Sequence, residues 1–164
     1  MQTATVPTPA GPFTVVADDG VVHASGWTDD PRALVALVAP ALRPASLERV
    51  DALGPLTDAV AAYVDGDLSA IDAIAVRQES GPFLMEVWEV LRAVPAGAPV
   101  TYAELAAKAA RPEAVRAAAS ACARNAAALF VPCHRVVRTG GGLGGFRYGL
   151  EVKRWLLGHE APAA

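Results

Sequence analysis

Residues 129–137 read LFVPCHRVV, which sets Cys133 beside His134 inside an apolar run. A thiol in such surroundings is inert, because burial penalises the anion that would attack. Next to a base that can take its proton, the same burial shelters a nucleophile. The pair by itself carries both readings, a small core residue beside a satisfied core histidine or a thiol with its base. Two features further along could serve the second. Glycines at 140–142 and 144–145 make a loop free to adopt positive φ and to let a ligand approach the backbone closely. The segment LEVKRWLLGHE brings Leu150, Trp155, Leu156 and Leu157 for packing and ends on Glu160.

The elements that must position these residues are legible upstream. In TYAELAAKAA, Thr101 and Glu104 form an S/T-x-x-E capping box for a helix, which Arg111-Pro112 breaks. Pro112 suits the first turn of a second helix over EAVRAAASACARN, and two short helices with a tight connection predict a helix-turn-helix. Before them, FLMEVWEVLRAV puts Phe83, Val87, Val90, Leu91 and Val94 on one helical stripe. Nearer the start, GPFTVVADDGVVHASGW has two β-branched runs around Asp18-Asp19-Gly20, a hairpin signal. Asp29–Pro31 caps a helix over RALVALVAPAL, interrupted by Pro40 and Pro44. Leu56, Val60 and Val64 predict another helix, stopped by Gly66. The polar stretch ending in Gly81-Pro82 is the expected domain junction, giving an α+β unit with a small antiparallel sheet over 1–80 and a mostly helical unit over 81–164.

Bulk properties narrow the class. At 164 residues, 53% hydrophobic and 19% charged, the chain is long and apolar enough for a real core. It lacks a run of roughly 18 apolar residues and a signal-like start, so no membrane partner and a cytoplasmic location are expected. Cys122 and Cys133 have neither CxxC nor disulfide-framework spacing, and His23, His134 and His159 are scattered, so neither metal nor cofactor is expected. The net charge of −3 is uneven: residues 1–100 hold 5 Lys and Arg against 13 Asp and Glu, residues 101–164 hold 9 against 4. A basic part joined to an acidic one is compatible with attraction to phosphates through one face, or with a solvated helical surface.

With these motifs in view, the chain resembles the O6-alkylguanine-DNA alkyltransferases. The likeness runs from TPAGPFTVVADDG through GPFLMEVWEVLRAVPAGAPVTYAELA and PCHRV to GLGGFRYGLEVKRWLLGHE. It implies a ribonuclease H-like first domain and a winged-helix-like second domain carrying the helix-turn-helix. It also implies irreversible, stoichiometric transfer of an alkyl group from O6-alkylguanine, and from O4-alkylthymine, to the protein's own cysteine after base flipping. Carried over residue by residue, Cys133 is the acceptor, His134 its water-linked base, Glu160 the orienting carboxylate, Asn125 the hinge asparagine, and Tyr102 the tyrosine beside the flipped base. Arg116 is the finger that fills the vacated stack, with Ala117, Ala118, Ala121 and Arg135 on the DNA side. Arg124, Arg138 and Arg147 are further candidates for attracting phosphates. Pro132, Val136, Phe146, Arg147 and Tyr148 line the substrate pocket. The partner is double-stranded DNA carrying O6-alkylguanine, bound by a monomer with cooperativity left open, and in a bacterium the location is the nucleoid.

The chain departs from the family at Ala119, where glycine is usual, at Ala126 after the hinge asparagine, at Phe146 in place of tyrosine, and at Tyr148. Other classes would show other features. A lesion sensor on the same fold lacks the acceptor cysteine, a transcriptional regulator needs a dimerisation segment or base-reading polar residues, and a thiol protease needs an oxyanion hole.

Overall fold

The structure is a computed structural model that describes residues 1–162. The chain forms two compact units. The first comprises Met1–Glu79 and Ala126–Phe130, and the second comprises Ser80–Asn125 with the residues from Val131 onward. The return of residues 126–130 to the first unit is marked by no composition shift in the sequence, which reads there as one apolar stretch.

In the first unit, β1 (Gln2–Thr8), β2 (Gly11–Asp18) and β3 (Val21–Gly26) form an antiparallel meander. The turn between β2 and β3 puts Asp19 at φ 47 and Gly20 at φ 77, the doubly positive pattern that an Asp-Gly pair tolerates in a tight hairpin. The helix expected over RALVALVAPAL is shorter than its periodicity suggests. α1 (Pro31–Val35) is capped by Asp30, whose carboxylate accepts from the Arg32 amide. Pro40 then forces Ala39 to extended geometry (φ −54, ψ 136), and only a 3-10 turn follows at Pro40–Leu42. β4 (Glu48–Arg49) joins β1 in parallel, giving the order β3-β2-β1-β4. The sheet is therefore mixed, not wholly antiparallel, because the long crossover through α1 returns the chain in the direction of β1. α2 (Pro55–Val64) buries Leu56, Val60 and Tyr63, and Gly66 at φ 111 ends it. Residues 126–130 are held by Ser25, whose amide donates to Ala126 O (2.8 Å) and whose hydroxyl donates to Ala128 O (2.7 Å). The Ala126 amide itself donates to Gln78 Oε1 at 2.9 Å.

The second unit starts with α3 (Pro82–Arg92), which buries Val87, Trp88 and Leu91; Trp88 takes the inward place that the stripe assigned to Val90. β5 (Val100–Thr101) leads into α4 (Tyr102–Lys108) through a complete capping box, with Glu104 N on Thr101 Oγ1 (3.1 Å) and Thr101 N on Glu104 Oε1 (3.2 Å). α5 (Val115–Ala123) begins later than expected: Pro112 sits in the preceding turn, closed by Ala114 N donating to Arg111 O at 2.9 Å. Trp88 Nε1 donates to Ala121 O (2.9 Å), fastening α5 to α3. A 3-10 turn at Cys133–Arg135 runs into β6 (Val136–Val137), parallel to β5, and α6 (Leu150–Glu160) ends the unit. Among the described residues no helix is long and apolar enough to cross a membrane.

Candidate active site

The Pro-Cys-His-Arg stretch is a single 3-10 turn, closed by Cys133 N on Val131 O (2.8 Å) and Arg135 N on Pro132 O (3.0 Å). With about three residues per turn, successive side chains point in different directions, so all three are in the interior because the whole turn is enclosed. Cys133 is 8% exposed, His134 0% and Arg135 3%. Asn125 braces the turn from the end of α5: its Nδ2 donates to Val131 O at 2.8 Å.

Glu160, the last residue of α6, reaches this turn across 26 positions of sequence. Its Oε2 lies 2.9 Å from His134 Nε2. Arg135 grips the same carboxylate with both prongs, Nε to Oε1 at 3.0 Å and Nη2 to Oε2 at 2.9 Å, and gives Nη1 to Val94 O at 2.8 Å. Burial alone would raise the Glu160 carboxyl. Hydrogen bonds from His134 and Arg135 outweigh it and hold the group at about 2, so the carboxylate is ionised at neutral pH. An ionised acceptor keeps the histidine proton on Nε2. His134 Nδ1 is then the lone-pair nitrogen, and it is buried with no hydrogen-bond partner in the protein. Burial also lowers the His134 pKa, against the raising effect of Glu160, so the imidazole is neutral and able to accept a proton.

The Cys133 thiol is pushed up by burial, while a hydrogen bond from Asn125 and the positive charges of Lys153 and Arg147 act in the opposite sense. Lys153 is the group that sequence reasoning missed. It is fully buried, and its Nζ donates to Val136 O (2.7 Å) and Gly145 O (3.3 Å). Burial lowers its own pKa, and the two cysteines raise it. A signal was available: Lys153, Leu156 and Glu160 share one buried helical stripe of α6, an unusual place for a lysine unless its charge is used.

A second feature of this unit is a hollow of about 330 Å³ lined by Tyr102, Val115, Arg116, Ala119, Arg138, Gly144 and Gly145. Gly144, at φ 75, is obligatory there, since a Cβ would stand 2.8 Å from the Tyr102 hydroxyl oxygen. Burial raises the Tyr102 phenol, with Cys122 and Cys133 adding to the shift and Arg138 opposing it, so the phenol stays protonated.

Two expectations change. Arg135 does not face DNA, because its guanidinium is buried and committed to Glu160 and Val94. Ala118 and Ala121 are 0% exposed, on the stripe of α5 that packs toward α3, so they present no surface to a duplex; the open face carries Arg116, Ala117 (half-buried) and Ala119. The residues Pro132, Val136, Phe146, Arg147 and Tyr148 lie outside that hollow, as does Cys133, while Arg147 and Tyr148 are within electrostatic reach of the Cys133 sulfur. Pro132 and Val136 are buried, Val136 in the β6 pairing. Phe146 and Tyr148 meet edge to face at 5.7 Å, and burial pushes the Tyr148 phenol up to about 12, with Cys133 adding to the shift. Among the described residues no cluster of His, Cys, Asp and Glu is gathered to hold a metal ion.

Residues 82–162 match the model of the 6-O-methylguanine DNA methyltransferase DNA-binding domain. The chain is 39% identical over 158 residues to a methylated-DNA–protein-cysteine methyltransferase of Salmonella typhimurium, covering 94% of this chain and 92% of the relative. It belongs to that family. A methylated-DNA–protein-cysteine methyltransferase of Methanosarcina acetivorans is 40% identical over 96 residues, 58% of this chain and 61% of the relative. Among solved structures, Mycobacterium tuberculosis OGT in complex with DNA superposes with a TM-score of 0.80 at 27% identity, over 99% of this chain and 96% of that one.

Proposed function

We propose that this protein repairs DNA by moving the alkyl group of O6-alkylguanine, and of O4-alkylthymine, onto Cys133, one event per molecule. The observation that carries the reading is the buried Glu160–His134 pair at 2.9 Å, with the free Nδ1 of His134 on the residue following the cysteine. The Cys133 proton passes to Nδ1 through an intervening water, the acid-oriented base logic of a catalytic triad. Lys153 and the Asn125 hydrogen bond favour the resulting thiolate. The sulfur attacks the alkyl carbon, the carbon–oxygen bond breaks with its electron pair going to O6, and Tyr102 donates its phenol proton to the departing purine. The imidazolium proton returns to solvent and the phenolate is reprotonated. A thioether is left on Cys133 that nothing in the site reverses.

The target atom is out of reach inside a duplex, so the nucleotide is extruded at a cost of about a few kcal/mol. Arg116, exposed on the open face of α5 at the edge of the hollow, enters the gap in the stack. The α4–α5 helix-turn-helix, flanked by β5 before it and its partner strand β6 after it, supports a winged-helix-like assignment, and the β1–β2–β3 meander a ribonuclease H-like one. In this reading the region from residue 81 onward carries both transfer and DNA binding, the protein acts as a monomer, and it works at the nucleoid of a bacterial cytoplasm. Incubation with duplex DNA containing O6-methylguanine should add one methyl mass to the intact protein, on Cys133, with no increment in Cys133→Ser. Binding of the lesion without any gain in mass would replace this reading by a sensor.

A further inference from the structure

Sequence alone groups Arg124, Arg135, Arg138 and Arg147 as cations for phosphates, but their surroundings separate them. Arg135 is spent on Glu160 and Val94 O. Arg147 gives Nη2 to Ala123 O at 2.5 Å, and Arg111 lies 5.4 Å over the Phe83 ring. Arg124 is exposed and is not among the residues lining the hollow. Only Arg116 and Arg138 line it, and neither guanidinium makes a hydrogen bond or ion pair with any described residue.

Arg138 is aimed by its backbone. Its amide donates to Gly142 O (2.8 Å) and its carbonyl accepts from Gly141 N (3.3 Å), a tight turn that packs the arginine stem beside Gly142. Beside it the hollow is walled by Val115, Ala119, Gly144, Gly145 and the Tyr102 ring, with no carboxylate. Cys133 is not among the lining residues, so the hollow is not the seat of the reacting base, and an uncompensated guanidinium at its edge suits the anion of a strand laid across it.

The geometry points to Arg138 as the residue that grips the phosphodiester of the extruded nucleotide, while Arg116 occupies the stack. This rests on the alkyl-transfer reading above. It makes Arg138 a positioning residue for the lesion strand, distinct from the cations that merely raise affinity for any duplex.

The test uses the full chain in a Cys133→Ser background, so that complexes persist. Binding is titrated against salt on an O6-methylguanine duplex and on its undamaged match, with Arg138 intact, Arg138→Ala and Arg138→Lys. Arg138→Ala should make the log–log salt slope shallower by about 0.9 on the lesion duplex, the value for one phosphate contact, and by clearly less on the undamaged one. Arg138→Lys should keep most of the slope. With Cys133 restored, Arg138→Ala should lose more transfer rate on duplex than on free O6-benzylguanine, which carries no phosphate. An unchanged slope on the lesion duplex, an equal drop on both duplexes, or equal rate losses on duplex and free base would each overturn the assignment. If the Cys133 protein gains no methyl mass from the lesion duplex, the underlying reading fails and takes this one with it; if it does gain the mass while the slope stays put, only the role of Arg138 falls.

Discussion

Arg135 and Arg138 stand three residues apart and do opposite things. Arg135 turns inward and completes a closed network, in which both prongs of the guanidinium meet Glu160 and the remaining donor meets a backbone carbonyl. Arg138 turns outward to the edge of a hollow where no carboxylate answers it. The difference teaches where each region gets its stability. The Glu160 carboxylate is satisfied by the protein's own atoms, with only His134 Nδ1 left over, so its geometry is set before any ligand arrives, as a base that must hold one tautomer requires. The rim is left unsatisfied in water, where an exposed cation costs little, and becomes favourable only when an anion comes with the substrate.

The comparison breaks most sharply at Arg135. Removing one partner of a buried ion pair leaves the other uncompensated, so Arg135→Ala should destabilise the fold by about 3–5 kcal/mol, read from the denaturant midpoint. A variant that stays as stable as the parent and instead loses salt-dependent DNA binding would return Arg135 to the DNA face.

Acid sharpens the same contrast. Glu160 sits at about 2 in the folded chain against 4.5 as its reference. A depressed carboxyl contributes stability that is fully present above pH 4.5 and is lost as pH falls toward 2, on the order of 3 kcal/mol. Urea unfolding at pH 5.5 and at pH 3 should show about 2 kcal/mol of this loss, the part accumulated between 4.5 and 3, and Glu160→Gln should show a smaller difference between the two. An equal difference would mean that other carboxylates carry the acid response.

The rim should respond in function alone. Arg116→Ala is expected to shift stability by no more than about 0.5 kcal/mol, while slowing repair of duplex more than reaction with a free base analogue. Equal slowing on both, measured by single-turnover methyl transfer, would remove Arg116 from the stack.

Much of this molecule was legible in one dimension. The Thr101–Glu104 capping box, the Asp19-Gly20 turn, the stop of α2 at Gly66 and the Cys133–His134 adjacency all depend on neighbours within a few residues, where backbone sterics and local hydrogen bonds decide the outcome. Errors arose where a local pattern met a distant one. The resemblance set Ala118 and Ala121 on the DNA side, but both are buried, and α3 is fastened to their helix by Trp88 Nε1 on Ala121 O. β4 pairs parallel to β1 because of the length of the crossover, which its own two residues cannot announce.

The sequence by itself determined the chemical inventory of this protein: a sheltered thiol, an adjacent imidazole, a glycine loop and two short helices with their caps. Only the tertiary structure decided which carboxylate meets the imidazole, which of several arginines is consumed inside, and that Lys153 lies buried within electrostatic reach of the sulfur. Long polar side chains can satisfy themselves in many ways, and the choice falls to whichever separate element burial brings within hydrogen-bond distance. That quantity exists only once α6 has packed against the Cys133 turn.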